Sequence, residues 1–163
     1  MKTLILMRHA KSDWMTGESD HRRPLNPRGR HSAAAIGRWL RTIDVLPDVA
    51  LVSDAVRTTE TWELLALPGQ PVFDRTLYHA SADVMLGLIR QQTSADTLLV
   101  LAHNPDIAEL ANRLVVEPPD NTDFEHYPTA STTILTFETE AWNDVAPGAG
   151  RLKAFQTPRP LLE

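Results

Sequence analysis

Arg8 and His9 stand side by side where the apolar run of LILMRHAKSDW (residues 4–14) stops. Arg57 follows a second apolar run, DVALVS (48–53), and His103 directly follows a third, TLLVLA (97–102). Guanidinium and imidazole are costly to desolvate, so a strand interior avoids them. The carboxyl end of a strand in an open α/β sheet is different, because such folds hold their ligands there. Two guanidiniums offer paired, charge-assisted hydrogen bonds to an oxyanion, and a neutral imidazole is a nucleophile. Helices starting just beyond Ser53 and His103 would add their own positive partial charge. The set suits a phosphoryl group. Taken singly, a histidine after a strand is an ordinary capping residue and a helical arginine an ordinary solvated one. Their joint position at strand ends of one polarity is what argues for chemistry.

Such a site needs elements that bring three distant strand ends together. Thr3–Met7 is short and continuously apolar, as a central strand covered on both faces must be. Residues 10–26 form a polar loop, and a helix follows with Ala33, Ile36, Gly37 and Leu40 on one face, Asn26 as N-cap and Pro27 at its first position. A strand over 48–53 and a helix over 55–65 come next, then a short strand at 71–73 and a helix over 83–91 capped by Ser81. The strand 97–102 leads into a helix with Ile107, Leu110, Ala111 and Leu114 on one face, for which Asn104 is the expected cap and Pro105 the opening residue. Residues 117–128, acidic and rich in proline, are expected to form a long loop. Late strands are expected at 132–137 and 152–155. Alternating strands and helices predict an α/β fold, a three-layer α/β/α sandwich around a largely parallel central sheet. One domain over residues 1–163 is expected, with 158–163 of the closing TPRPLLE as a disordered tail.

Bulk composition narrows the function classes. The 163 residues are 42% apolar and 23% charged, with a net charge of −5 and no dense basic run, which argues against a nucleic-acid partner. The absence of cysteine excludes disulfides and thiolate chemistry. No stretch is long and apolar enough for a membrane span. The amino-terminal apolar run is too short for a signal peptide, so a cytoplasmic location is the expectation.

The blocks LMRHAKSDW, LVSDAVRTTETW and VLAHNPDI, in this order, resemble the three motif blocks of the histidine phosphatase superfamily, also called phosphoglycerate-mutase-like. The RHA variant and RRPLNPRG are similar to the SixA-type phosphohistidine phosphatases within it. The resemblance runs from about Thr3 to Phe137. It implies that His9 is the nucleophile and becomes a phosphohistidine, that Arg8 and Arg57 hold the equatorial phosphoryl oxygens, and that His103 stabilises their charge or relays a proton. It adds Arg23 as a phosphate ligand. Lys11 and Ser12, close behind the nucleophile, are further candidate donors. No metal or other cofactor is expected, since positioning and electrostatics suffice for the transfer.

Many relatives of this type carry a glutamate that protonates an alcohol leaving group. Here the matching region reads FDRTLYHAS, without an acid near Leu77–His79; Asp74 and Asp83 only flank it. Imidazole leaves without strong acid help, whereas an alkoxide benefits greatly from it. The expected substrate is therefore a phosphohistidine, on a phosphorylated protein, with a small phosphorylated molecule as the alternative. His79 is the one residue that could replace the missing acid. His21, His31 and His126 receive no role. A module that binds phosphorylated ligands without turning them over is the non-enzymatic alternative, and it would have no need of His9.

Overall fold

The apolar strands divide their side chains between two cores. In the computed structural model, which describes residues 1–163 throughout, β1 (Lys2–Arg8) sends Leu4 and Leu6 into one core and Ile5 and Met7 into the other. β4 (Thr97–Ala102) does the same with Leu98 and Val100 against Leu99 and Leu101. With β2 (Val49–Ser53), β3 (Gln70–Asp74), β5 (Thr132–Phe137) and β6 (Arg151–Gln156) they form one sheet in the order β3–β2–β4–β1–β5–β6. The first four in that order pair in parallel; β5 is antiparallel to both its neighbours.

Helices close both faces. α1 (Pro27–Thr42) and α2 (Val56–Leu65) bury Ala33, Ile36, Leu40, Trp62 and Leu65 against one face. α3 (Ala82–Arg90), α4 (Asp106–Leu114) and α5 (Thr122–His126) bury Met85, Ile89, Ile107, Leu110, Leu114 and Phe124 against the other. The three-layer sandwich is thus the one the sequence predicts. Two of its caps also form: Asn26 accepts the Gly29 N–H at 2.8 Å with Pro27 at N1, and Ser81 accepts that of Val84 at 3.2 Å.

Register sets the height of the strand ends. Arg8 lies opposite Ala102 and Val52 opposite Leu101, so β1, β2 and β4 finish level on one edge. That edge carries Arg8, Ser53 and the residue after Ala102, which is His103.

Three expectations are corrected. Asn104 does not cap α4: Pro105 takes the N-cap position in helical geometry, without a side-chain cap. The Asn104 amide instead donates to the carbonyls of His126 and Tyr127, at 3.1 and 3.0 Å. Those carbonyls lie at the end of α5, where the last carbonyls have no intrahelical donor; the Asn104 N–H groups serve them, and its Oδ1, the atom a cap would use, has no partner. Residues 117–128 are not loop throughout. Asn121 caps α5 through the Asp123 N–H, and Phe124 and Tyr127 are buried. The chain's last residues are not a loose tail either: Arg159–Leu162 form α6, which packs on α1 and sets Leu161 against the core.

Gly29 couples α1 to the loop after β1. A Cβ built there would lie 2.0 Å from the Lys11 carbonyl oxygen, which itself accepts the Asn26 N–H at 3.0 Å. Backbone meets backbone, and neither has a flexible end that can yield. Gly29→Ala is expected to lower unfolding free energy by about 1–3 kcal/mol, the range for overpacking a tight contact. Urea denaturation with an unchanged midpoint would refute this contact.

Candidate active site

The His9 side chain is fixed at its Nδ1 edge. Nδ1 lies 2.7 Å from the Ala10 carbonyl, which can only accept, so Nδ1 carries the proton. In the neutral ring the lone pair is then on Nε2. The Ala10 peptide is held in turn by Thr61 of α2, whose hydroxyl accepts the Ala10 N–H at 3.1 Å. The His9 N–H donates to Ala102 of β4 at 3.2 Å, and its carbonyl accepts from Ala130 at 2.9 Å. Burial pushes the ring's pKa down to about 3, with further repulsion from His103, Arg8 and Arg57. The ring is therefore neutral at ordinary pH, with the Nε2 lone pair available.

His103 lies beside it, the two ring centroids 5.3 Å apart. Its Nε2 shares a hydrogen bond of 2.8 Å with Ser53 Oγ, at the end of β2. Burial, then Arg57, lowers its pKa to about 4. Arg8 donates from Nη1 to the Tyr127 carbonyl at 3.0 Å; its pKa falls through burial and the nearness of Arg57. The Nε–H groups of Arg8 and Arg57 are buried without any protein acceptor, a costly condition for a charged donor.

All four residues line one cleft of about 140 Å³, and so do the three candidate phosphate ligands Arg23, Lys11 and Ser12. Trp14, Asn104 and Thr129 complete it. Arg23 donates to Ser12 Oγ at 2.7 Å, and its guanidinium stacks 3.5 Å from the centre of the Trp14 ring. Trp14 is 72% exposed, so it walls the mouth and packs no core.

Two residues that sequence reasoning passes over organise these arginines. Asp20 accepts from Arg57 through Oδ2 at 3.1 Å and through its backbone carbonyl at 2.7 Å, and from Arg23 through Oδ1 at 3.1 and 3.2 Å. Tyr78 adds its hydroxyl to Oδ2. These partners, Tyr78 first, hold the Asp20 carboxyl far below the usual carboxylate range. The available signal was weak: Asp20 precedes Arg23 by three residues, within one 3-10 turn (Asp20–Arg22). Tyr78 lies on a second such turn, Arg75–Tyr78, with its ring 5.6 Å from that of His103.

The remaining candidates stay outside the cleft. His79 stacks on Tyr78 at 4.0 Å between ring centroids and is not part of the lining. Asp74 accepts from the Thr76 N–H, and Asp83 pairs with Arg113. His21 bonds Asp54 at 2.7 Å and meets Tyr78 edge-on. His31 and His126 are exposed. No carboxyl side chain lines the cleft, and no three His, Asp or Glu side chains gather as metal ligands.

A neutral, buried imidazole among guanidiniums, at the carboxyl edge of a parallel sheet, belongs to a phosphoryl-handling α/β protein. Comparison with known proteins narrows this class. The family model of the histidine phosphatase superfamily (branch 1) matches residues 4–77. A Mycobacterium tuberculosis protein of uncharacterised function is 34% identical over 161 residues, covering 94% of this chain and 100% of its own. A solved structure from Nakamurella multipartitia, described as a candidate phosphohistidine phosphatase SixA, is 30% identical with a TM-score of 0.86, covering 96% of both chains. Its counterpart from Agrobacterium tumefaciens is 25% identical with a TM-score of 0.79, covering 96% of this chain and 98% of that one. The chain belongs to the histidine phosphatase superfamily.

Two outcomes follow from the charge arrangement. Asp20→Asn keeps the shape but loosens both arginines, and a misplacement of this kind lowers kcat/KM by up to about 100-fold. Steady-state kinetics on a folded variant, checked by circular dichroism, would show no loss if Asp20 were irrelevant. The second outcome concerns pH. Free histidine titrates near 6.5, while His9 and His103 resist protonation in the fold to about 3 and about 4. Between those values the unfolded chain binds more protons, so stability falls as pH drops from about 6.5, by about 1.4 kcal/mol per pH unit for each histidine. His9→Asn is expected to make this acid slope shallower, as urea unfolding between pH 4.5 and pH 7 reads directly; parallel curves refute it.

Proposed function

We propose that this protein is a phosphohistidine phosphatase that works through a covalent phosphohistidine on His9. The observation that carries the reading is the neutral His9 ring, with Nδ1 committed to the Ala10 carbonyl, in a cleft with Arg8, Arg57 and Arg23. Nε2 has the free electron pair, and it attacks phosphorus. A new N–P bond forms as the bond to the leaving nitrogen breaks. The departing imidazole takes that electron pair and ends neutral, because the substrate ring enters the step protonated. Arg8 and Arg57 neutralise the phosphoryl oxygens, whose charge satisfies the unpaired Nε–H donors of both. His103 supplies a further ring beside those oxygens. Water then attacks phosphorus, the bond to His9 Nε2 breaks, and phosphate leaves with the ring restored. Charge stabilisation comes from guanidinium groups throughout, so no metal is called for.

The substrate class follows from the acid–base chemistry. No carboxyl group lines the cleft, and Asp20 stays ionised beside its guanidiniums and so cannot donate a proton. An alcohol leaving group would depart as an alkoxide without help, whereas an imidazolium departs as a neutral ring. The likeness to two SixA structures at 30% and 25% identity supports the same class.

The test is intact-mass spectrometry, quenched at neutral pH, after mixing the protein with a phosphohistidine peptide. Wild type is expected to gain one phosphoryl group transiently while the peptide loses its own, and His9→Ala is expected to do neither. Hydrolysis of a phosphate monoester with the peptide left intact would sink the substrate reading but keep the nucleophile. Turnover in His9→Ala would sink the mechanism.

A further inference from the structure

A second, larger cavity of about 280 Å³ adjoins the catalytic cleft, and Lys11 and Thr129 line both. Three cations converge on it from separate parts of the chain: Lys11 after β1, Arg28 in the first turn of α1, and Arg159 at the start of α6. None of the three forms an ion pair. Asp123 is the only acid in the lining, so three positive charges face one negative, a net of two positive charges. This happens on a chain whose overall charge is −5.

The cluster is built by packing and is not a chance meeting of mobile side chains. α6 lies on α1 with Leu161 against the core, and Arg159 of that helix lines the same cavity as Arg28 of α1. Gly29, the neighbour of Arg28, is in direct contact with the Lys11 backbone. Like charges held together repel one another in the free protein, and an anionic ligand relieves that repulsion. All three are exposed, as suits contacts that select and orient a large partner. An extended peptide advances about 3.3–3.6 Å per residue. The second cavity therefore lies within reach of the side chains next to a phosphohistidine that enters the first cleft.

We propose that this cavity receives acidic side chains flanking the phosphohistidine of a protein substrate, held by Lys11, Arg28 and Arg159. The inference rests on the phosphohistidine reading above and adds the sequence context that the enzyme selects.

The experiment compares two phosphohistidine peptides, identical except for two glutamates or two glutamines beside the phosphorylated residue. Wild type is expected to favour the acidic peptide by about tenfold in kcat/KM, mostly through KM. The preference should fade at about 1 M salt, where screening acts within about 3 Å. Arg28→Gln with Arg159→Gln should abolish it and leave turnover of the glutamine peptide unchanged. Equal turnover of both peptides by wild type overturns the inference and spares the phosphohistidine reading. A preference that survives in the double variant overturns it as well. If the double variant instead raises KM only for a small bis-phosphorylated molecule, the cavity serves a second anion of a small substrate and the proposal is wrong. Failure of wild type to turn over either peptide overturns both readings together.

Discussion

The carboxylate of Asp20 accepts from Arg57, Arg23 and Tyr78 at once, and two of the three arginines lining the cleft depend on that one group. Guanidiniums brought into a cleft lose hydration and repel each other, which the lowered pKa of Arg8 beside Arg57 records. One carboxylate outside the lining offsets part of this cost without filling the cleft. It also fixes the two arginines by direct hydrogen bonds, so their orientation is set before any ligand arrives. Their remaining positive charge is not neutralised by protein. Burial first, and then this excess charge, keeps His9 and His103 unprotonated.

Main-chain bonds hold His9 just as firmly. His9 leaves β1 where that strand is flanked by β4 and β5, and the Ala10 peptide binds Thr61 on one side and the His9 ring on the other. Across the cleft the Tyr127 carbonyl accepts from both Arg8 and Asn104. The Tyr127 hydroxyl, wholly buried, donates to the Leu6 carbonyl of β1 at 2.9 Å. The segment after α5 is thus pinned to the strand that leads into His9. It forms a wall of the site, and the cations of the neighbouring cavity extend that wall outward toward Arg159.

The sequence by itself determined the sheet and its reactive edge, because those features are written in local periodicity. A run such as TLLVLA needs cover on both faces wherever it goes, and parallel strands send their carboxyl ends to one edge, so Arg8, His9, Arg57 and His103 could be placed together before any contact was known. Asn26 and Ser81 were legible as caps for the same reason: a cap is decided within four residues. Tertiary structure alone decided which groups these residues answer to. Asp20 meets Arg57 across 37 residues and Tyr78 across 58, with no periodic pattern linking them. Asn104 carried a valid local signal for a cap, yet the orphan carbonyls ending α5, 22 and 23 residues on, took its amide. Arg159 lines the neighbouring cavity from a helix whose Leu161 is seated against the core. Local rules see the chain's own neighbours, whereas charge pairing and burial depend on distance in space, which folding sets.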